Sequence, residues 1–242
     1  MRLDLSYDGT GFRGYAKQPG QRTVQGELES ALDRVLDIEA QTSVAGRTDA
    51  GVHARHQVVS FQANDVDTTR LQRSLNSMLS REIVVKECSI ADDGFDARFS
   101  AKRRTYRYAI SIAPYPDPMR RSQIWYPADE VEVDLLNQAA EQFVGEIDFT
   151  SFCRSVSGKS NVRRVERSIW EAGPGGDLWY WVEANAFCHQ MVRSLVGACY
   201  DVARGYFGLD DLSKVIASAN RSTTGTIAPP HGLTLWEVTY DG

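Results

Sequence analysis

Cysteine is scarce in this 242-residue chain. Its four copies, Cys88, Cys153, Cys188 and Cys199, include no CxxC pair, which argues against a disulfide framework or a zinc clip. They read as reduced thiols of a cytosolic protein, so the expected location is cytoplasmic. No run approaches the roughly 20 apolar residues that a spanning helix needs, and no membrane partner is expected. Residues 1–10 alternate charged with apolar side chains, unlike a secretory signal. A dinucleotide fingerprint, a phosphate-binding loop, a metal-ligand cluster and the RNA-recognition octapeptide are all missing. Lysine is rare too, at 5 against 22 arginines. That bias suits bidentate phosphate contacts, and genomic base composition produces it equally well.

The remainder is ordinary for a globular chain, with 42% hydrophobic, 24% charged and 10% aromatic residues. The length fits one large domain or two of common size. A formal net charge of −5 gives no bulk attraction to nucleic acid. The cations are gathered, however. Residues 98–107 carry five and no acid, and residues 154–167 carry five against the single Glu166. Confined basic stretches let an acidic protein hold a polyanion in one groove, although on charge alone a solvated surface is the preferred reading.

Hydrophobic periodicity predicts a strand over 2–8, with Leu3, Leu5 and Tyr7 on one face, ending in a glycine-rich turn. A helix follows through Val24, Leu28, Ala31, Leu32 and Val35, capped by Thr23. Strands over 42–46 and 56–62 flank a loop, then come a helix marked by Leu71, Leu75, Met78 and Leu79 and a strand over 83–90. The second part repeats this order. Residues 104–112 alternate, Asp134 caps a helix closed by Gly145, and 162–171 and 178–184 form a hairpin. A long helix over 188–204 stops at Gly205, a shorter one covers 210–219, and a strand over 233–240 closes the chain. The expectation is an α+β protein of two ferredoxin-like β-α-β-β-α-β halves, 1–97 and 98–242.

The most unusual segment is AGRTDAGVHA, residues 45–54, in which Gly46 and Gly51 bracket Arg47, Thr48 and Asp49. Glycines permit a tight turn and close approach to a ligand. An ionised, positioned Asp49 can attack an electrophilic carbon or take a proton, and Arg47 would favour that ionised form if the two meet in space. A plain turn with Asp49 bonded to backbone amides explains the same letters. His53 and His56 lack a third ligand and would point apart on a strand, so a structural role outranks a metal site. Tyr106 lies among arginines in KRRTYRY, as a base-stacking ring does, yet Tyr106, Tyr108 and Ile110 serve equally as core. On the 188–204 helix, Met191, Val192, Leu195, Val196 and Cys199 form an apolar stripe. Arg193 shares another stripe with His189, Gly197, Tyr200 and Arg204. Gly197 marks a close neighbour, and Arg193 either faces solvent or pairs with Asp49.

Taken together, YDGTGFRGY, AGRTDAGVHA, FDARFSAKRRTYRY, DFTSFC, ANAFCHQMVRSLVG and HGLTL, in this order from Ser6 to Leu235, resemble the TruA-type tRNA pseudouridine synthases. The resemblance implies two α+β halves forming a continuous, mostly antiparallel sheet with helices on one face and a central cleft. It implies Asp49 as the catalytic nucleophile, with Tyr106 stacked on the target uracil and assisting proton movement. Arg47 and Arg193 would contact RNA or hold the Asp49 carboxylate, and Leu233 would line the base pocket. The implied reaction is uridine to pseudouridine at positions 38, 39 and 40 of the tRNA anticodon arm. It needs no cofactor and no metal, and a homodimer would hold tRNA against both subunits.

The chain departs from the family where Tyr15 and Ala16 replace a tryptophan and glutamine, and where Ser194 replaces asparagine. The loop 154–164 also matches poorly. Two other classes fit parts of the pattern: a non-catalytic RNA-binding module of paired halves, and a hydrolase using Asp49 on a small substrate.

Overall fold

The computed structural model describes residues 1–127, 129, 131–154, 158 and 160–241. Nine strands and five helices are described: β1 (Arg2–Tyr7), α1 (Val24–Leu36), β2 (Ser43–Val44), β3 (His53–Ser60), α2 (Thr68–Met78), β4 (Ile83–Ser89), β5 (Arg103–Ser111), α3 (Val133–Glu141), β6 (Gly145–Asp148), β7 (Val162–Ala172), β8 (Asp177–Ala184), α4 (Met191–Ala203), α5 (Leu209–Ser218) and β9 (Leu233–Thr239). They fall into two units. One comprises Met1–Arg104 with Thr234–Gly242, the other Thr105–Leu233. The final strand from Thr234 onward and the 98–104 segment belong to the first unit.

In the first unit β1 pairs antiparallel with both β3 and β4, and β2 pairs antiparallel with β3. β9 joins the same edge of β3 in parallel, through His53 opposite Thr234 and Ala54 opposite Leu235. Leu3, Leu5 and Tyr7 are buried on one face of β1 as their alternation predicts. Thr23 caps α1 by accepting from Gly26 N–H at 3.2 Å, and the helix turns Val24, Leu28, Ala31 and Leu32 inward. Leu71 and Leu75 do the same in α2. Burying each leucine contributes about 2 kcal/mol. Met78, expected on that stripe, ends the helix and is exposed.

The second unit has strand order β5-β8-β7-β6. β7 and β8 form the expected hairpin, and β6 adds an antiparallel edge beside β7. No alternation announces β6, because its four residues, GEID, include a single large apolar side chain. β5 is buried on both faces, Tyr106, Tyr108 and Ile110 on one and Thr105, Ala109 and Ser111 on the other.

Three local expectations are corrected. Asp134 lies in the first turn of α3, whose cap is Glu132, so its carboxylate faces the helix dipole without capping it. Gly145, at φ +123°, opens β6 four residues after α3 ends. α4 starts at Met191, three residues later than expected, because Gln190 is left-handed at φ 66°. The reading of four reduced thiols is also corrected. Cys153 and Cys188 are joined as a disulfide with Cα atoms 5.6 Å apart, leaving Cys88 and Cys199 free. A separation of 35 residues carries no motif, and the pair meets because Arg154 N–H bonds the His189 carbonyl at 2.9 Å.

Candidate active site

The loop between β2 and β3 carries Arg47, exposed, and Asp49, half-buried. Its entry is held twice. The β2–β3 ladder ends with Ala45 N–H on the Val58 carbonyl at 2.9 Å. Beyond that point the side chain of Gln57 replaces the missing strand partner. Its amide donates to the Gly46 carbonyl at 2.6 Å and accepts from Gly46 N–H at 3.3 Å. The Ala45 carbonyl accepts from Arg104 Nε and Nη2 at 3.1 and 2.9 Å, and Arg104 also donates to the carbonyls of Ala101 and Arg98. Arg104 is buried. One of the five cations in the basic stretch 98–107 therefore serves the loop's own backbone.

Further along, Tyr15 N–H donates to the Thr48 carbonyl at 3.0 Å, and Val52 N–H donates to the Asp49 carbonyl at 3.1 Å. Gly14 adopts φ +93°, where a Cβ would crowd the Thr48 carbonyl oxygen at 3.0 Å, so only glycine lets the 9–15 turn lie this close. Tyr15, the departure from the family's tryptophan, is buried with its ring 6.4 Å from that of Tyr7. His53 and His56 go to different partners. Nδ1 of His53 accepts from Gly9 N–H at 3.0 Å, while His56 meets Asp4 at 3.4 Å and Val238 N–H. Among the described residues no group of three or more His, Cys, Asp or Glu side chains is placed to hold a metal.

Tyr106, Arg193 and Leu233 belong to the second unit. The Tyr106 ring meets Phe187 edge-on at 4.9 Å and is buried. Arg193 Nε donates to the Ala228 carbonyl at 2.7 Å, and Ala228 N–H returns a bond to the Arg193 carbonyl at 3.1 Å. Gly197 explains the contact: a Cβ there would overlap the Thr226 carbonyl, so its absence lets the 224–228 segment lie on α4. Buried Asp201 fastens that segment, accepting from Thr226 N–H and Oγ1 at 2.7 Å each. Tyr108 hydroxyl donates to the Pro229 carbonyl at 2.8 Å, and the chain then delivers Leu233, buried, at the start of β9. Ser194 faces inward and accepts from Arg221 at 2.8 Å.

Sequence reasoning missed Tyr7, Gln57 and Arg104, whose roles depend on partners distant in the chain. In the 154–167 stretch Arg163 is turned onto the carbonyls of Ser160 and Val162, and Arg167 pairs with Glu171 and Glu183. Lys159 and part of the 154–164 loop lie outside the described residues. No described helix is long and apolar enough to cross a membrane.

The fold and the loop define an α+β protein that presents one carboxylate on a braced, glycine-bracketed turn. The tRNA pseudouridine synthase family model matches residues 5–100 and 139–241. Over 243 residues the chain is 46% identical to tRNA pseudouridine synthase A of Frankia casuarinae, covering 99% of this chain and 89% of that one. It is 43% identical to the protein of the same name from Cutibacterium acnes, over 99% and 88% of the two chains. The corresponding figure for Brevibacillus brevis is 39%, over 99% of each. This chain belongs to the tRNA pseudouridine synthase family, and it is an isomerase that makes pseudouridine in tRNA.

Proposed function

We propose that the chain isomerises uridines 38, 39 and 40 in the anticodon arm, with Asp49 as the nucleophile. The observation that carries this reading is the half-buried Asp49 on a loop whose backbone is fixed at Ala45, Gly46, Thr48 and Val52. Preorganisation of that kind is what a single-carboxylate reaction requires. The bond from the sugar moves from N1 of the base to C5, a proton leaves C5, and N1 gains one. Atoms and oxidation state are unchanged, so the chemistry calls for a positioned nucleophile and a bound, rotatable base.

A target inside a stem-loop must leave its stack, at a cost of a few kcal/mol. In this proposal Tyr106 stacks on the extruded uracil, Leu233 lines its pocket, and Arg47 and Arg193 bind RNA. A homodimer holding tRNA against both subunits belongs to the same reading, and light scattering with and without tRNA tests it. The central experiment is Asp49→Asn on an anticodon-arm transcript, read by chemical labelling specific to pseudouridine. Product formation is abolished while tRNA binding persists. Undiminished turnover rejects the assignment.

A further inference from the structure

Gln57 occupies the middle of β3 and is wholly buried. A leucine would pack there without polar groups to satisfy, so a buried amide needs a reason. Its bonds supply one. Besides the two to Gly46, Nε2 donates to the Tyr7 oxygen at 3.3 Å and Oε1 accepts from Val58 N–H at 3.3 Å. The reverse amide orientation would set two N–H groups against the nitrogen, so the network itself fixes the assignment. The Tyr7 hydroxyl, which accepts from Gln57, also shares a hydrogen bond with the Thr48 hydroxyl at 2.8 Å. Burial pushes the Tyr7 phenol up to about 12, against the opposing hydrogen bonds of Thr48 and Gln57, which keeps the hydroxyl protonated. The chain of bonds thus runs from Gln57 in β3 through Tyr7 in β1 to Thr48, the residue preceding Asp49.

We infer that Gln57, Tyr7 and Thr48 are positioning residues that set the Asp49 carboxylate for its reaction. The inference rests on the catalytic role proposed above for Asp49. None of the three needs to touch substrate. Gln57 fixes the loop three residues before the carboxylate, and Tyr7 fixes the side chain immediately before it. The Tyr15 N–H closes the same peptide from the other side through the Thr48 carbonyl. A shift of about 1 Å in a reacting group lowers the rate about a hundredfold, so a relay that removes such play acts on the chemical step more than on binding.

The test is single-turnover pseudouridine formation by the full-length chain, at saturating enzyme, with Thr48→Val, Thr48→Ser, Tyr7→Phe and Asp49→Asn compared side by side. Thr48→Val keeps the branched shape and deletes the hydroxyl that bonds Tyr7. Thr48→Val and Tyr7→Phe are expected to slow the saturated rate about 10- to 100-fold, with tRNA affinity within about twofold of the parent. Thr48→Ser restores most of the loss, which a purely packing role would not allow. Full rates in Thr48→Val and Tyr7→Phe beside an inactive Asp49→Asn overturn the relay alone. Losses that follow the fall in melting temperature, with no recovery in Thr48→Ser, overturn it too. An active Asp49→Asn removes both the catalytic assignment and the relay built on it.

Discussion

Arg193 and Ala228 are joined by two hydrogen bonds in opposite directions, Nε to carbonyl at 2.7 Å and N–H to carbonyl at 3.1 Å. The backbone bond places the segment, and the side-chain bond then fixes the plane of the guanidinium. A lysine would keep the charge but lose the planar fork that this geometry orients.

Arg193→Lys is therefore expected to lower turnover by about tenfold or more and Arg193→Ala by about a hundredfold, as steady-state kinetics on tRNA would measure. Stability falls by only about 1–2 kcal/mol in Arg193→Ala, the penalty of a buried Ala228 carbonyl without its side-chain donor. Chemical denaturation separates the two effects. A variant that loses activity only by unfolding contradicts the functional role.

Gly197→Ala forces a methyl group into the Thr226 carbonyl, and neither backbone has room to give. Overpacking against main chain costs about 3 kcal/mol. The expected signature is a lower melting temperature together with faster hydrogen exchange at Thr226 and Ala228. Unchanged exchange at those amides would show that the segment does not depend on the glycine.

Asp201 is wholly buried and serves Thr226 twice and Arg204 twice. Asp201→Ala strands these donors and is expected to destabilise the fold by about 3 kcal/mol in urea unfolding. Thr226→Val removes one of the four bonds and should remove about 1 kcal/mol.

Acid stability has a defined contributor in Asp4. Burial raises its carboxyl pKa, but hydrogen bonds and charge from His56 and Arg2 outweigh that and hold it below the ordinary value of 3.8. A carboxyl lowered on folding adds stability above its unfolded pKa and loses it as pH falls through the folded value. The stability gap between the parent and Asp4→Asn is thus widest above about pH 5 and narrows below about pH 4. Denaturant titrations at pH 7 and pH 3 measure it, and a gap that widens in acid refutes the assignment.

Much of this fold is written in local pattern. The face of Leu3, Leu5 and Tyr7, the Thr23 cap and the β7–β8 hairpin each announce themselves within a short stretch of chain. Gly197 is legible because a glycine inside an apolar helix demands a neighbour. Gln57 is not, since its partners Gly46 and Tyr7 lie 11 and 50 residues away and become neighbours only after the sheet forms. Arg104 read as one more cation in a basic run, because letters do not distinguish a guanidinium facing solvent from one capping carbonyls. β9 pairs with β3 through only two residues on each side, too brief a match for alternation to reveal.

That short parallel pairing has a consequence for biosynthesis. Thr234 and Leu235 lie against His53 and Ala54, directly after the loop bearing Asp49, and the Thr239 carbonyl accepts from Lys102 N–H at 2.9 Å. The edge beside the carboxylate loop is therefore closed by residues synthesised long after the loop itself and after the other strands of its unit. A nascent chain halted before codon 234 carries every chemical group of the loop yet lacks the strand that finishes its frame.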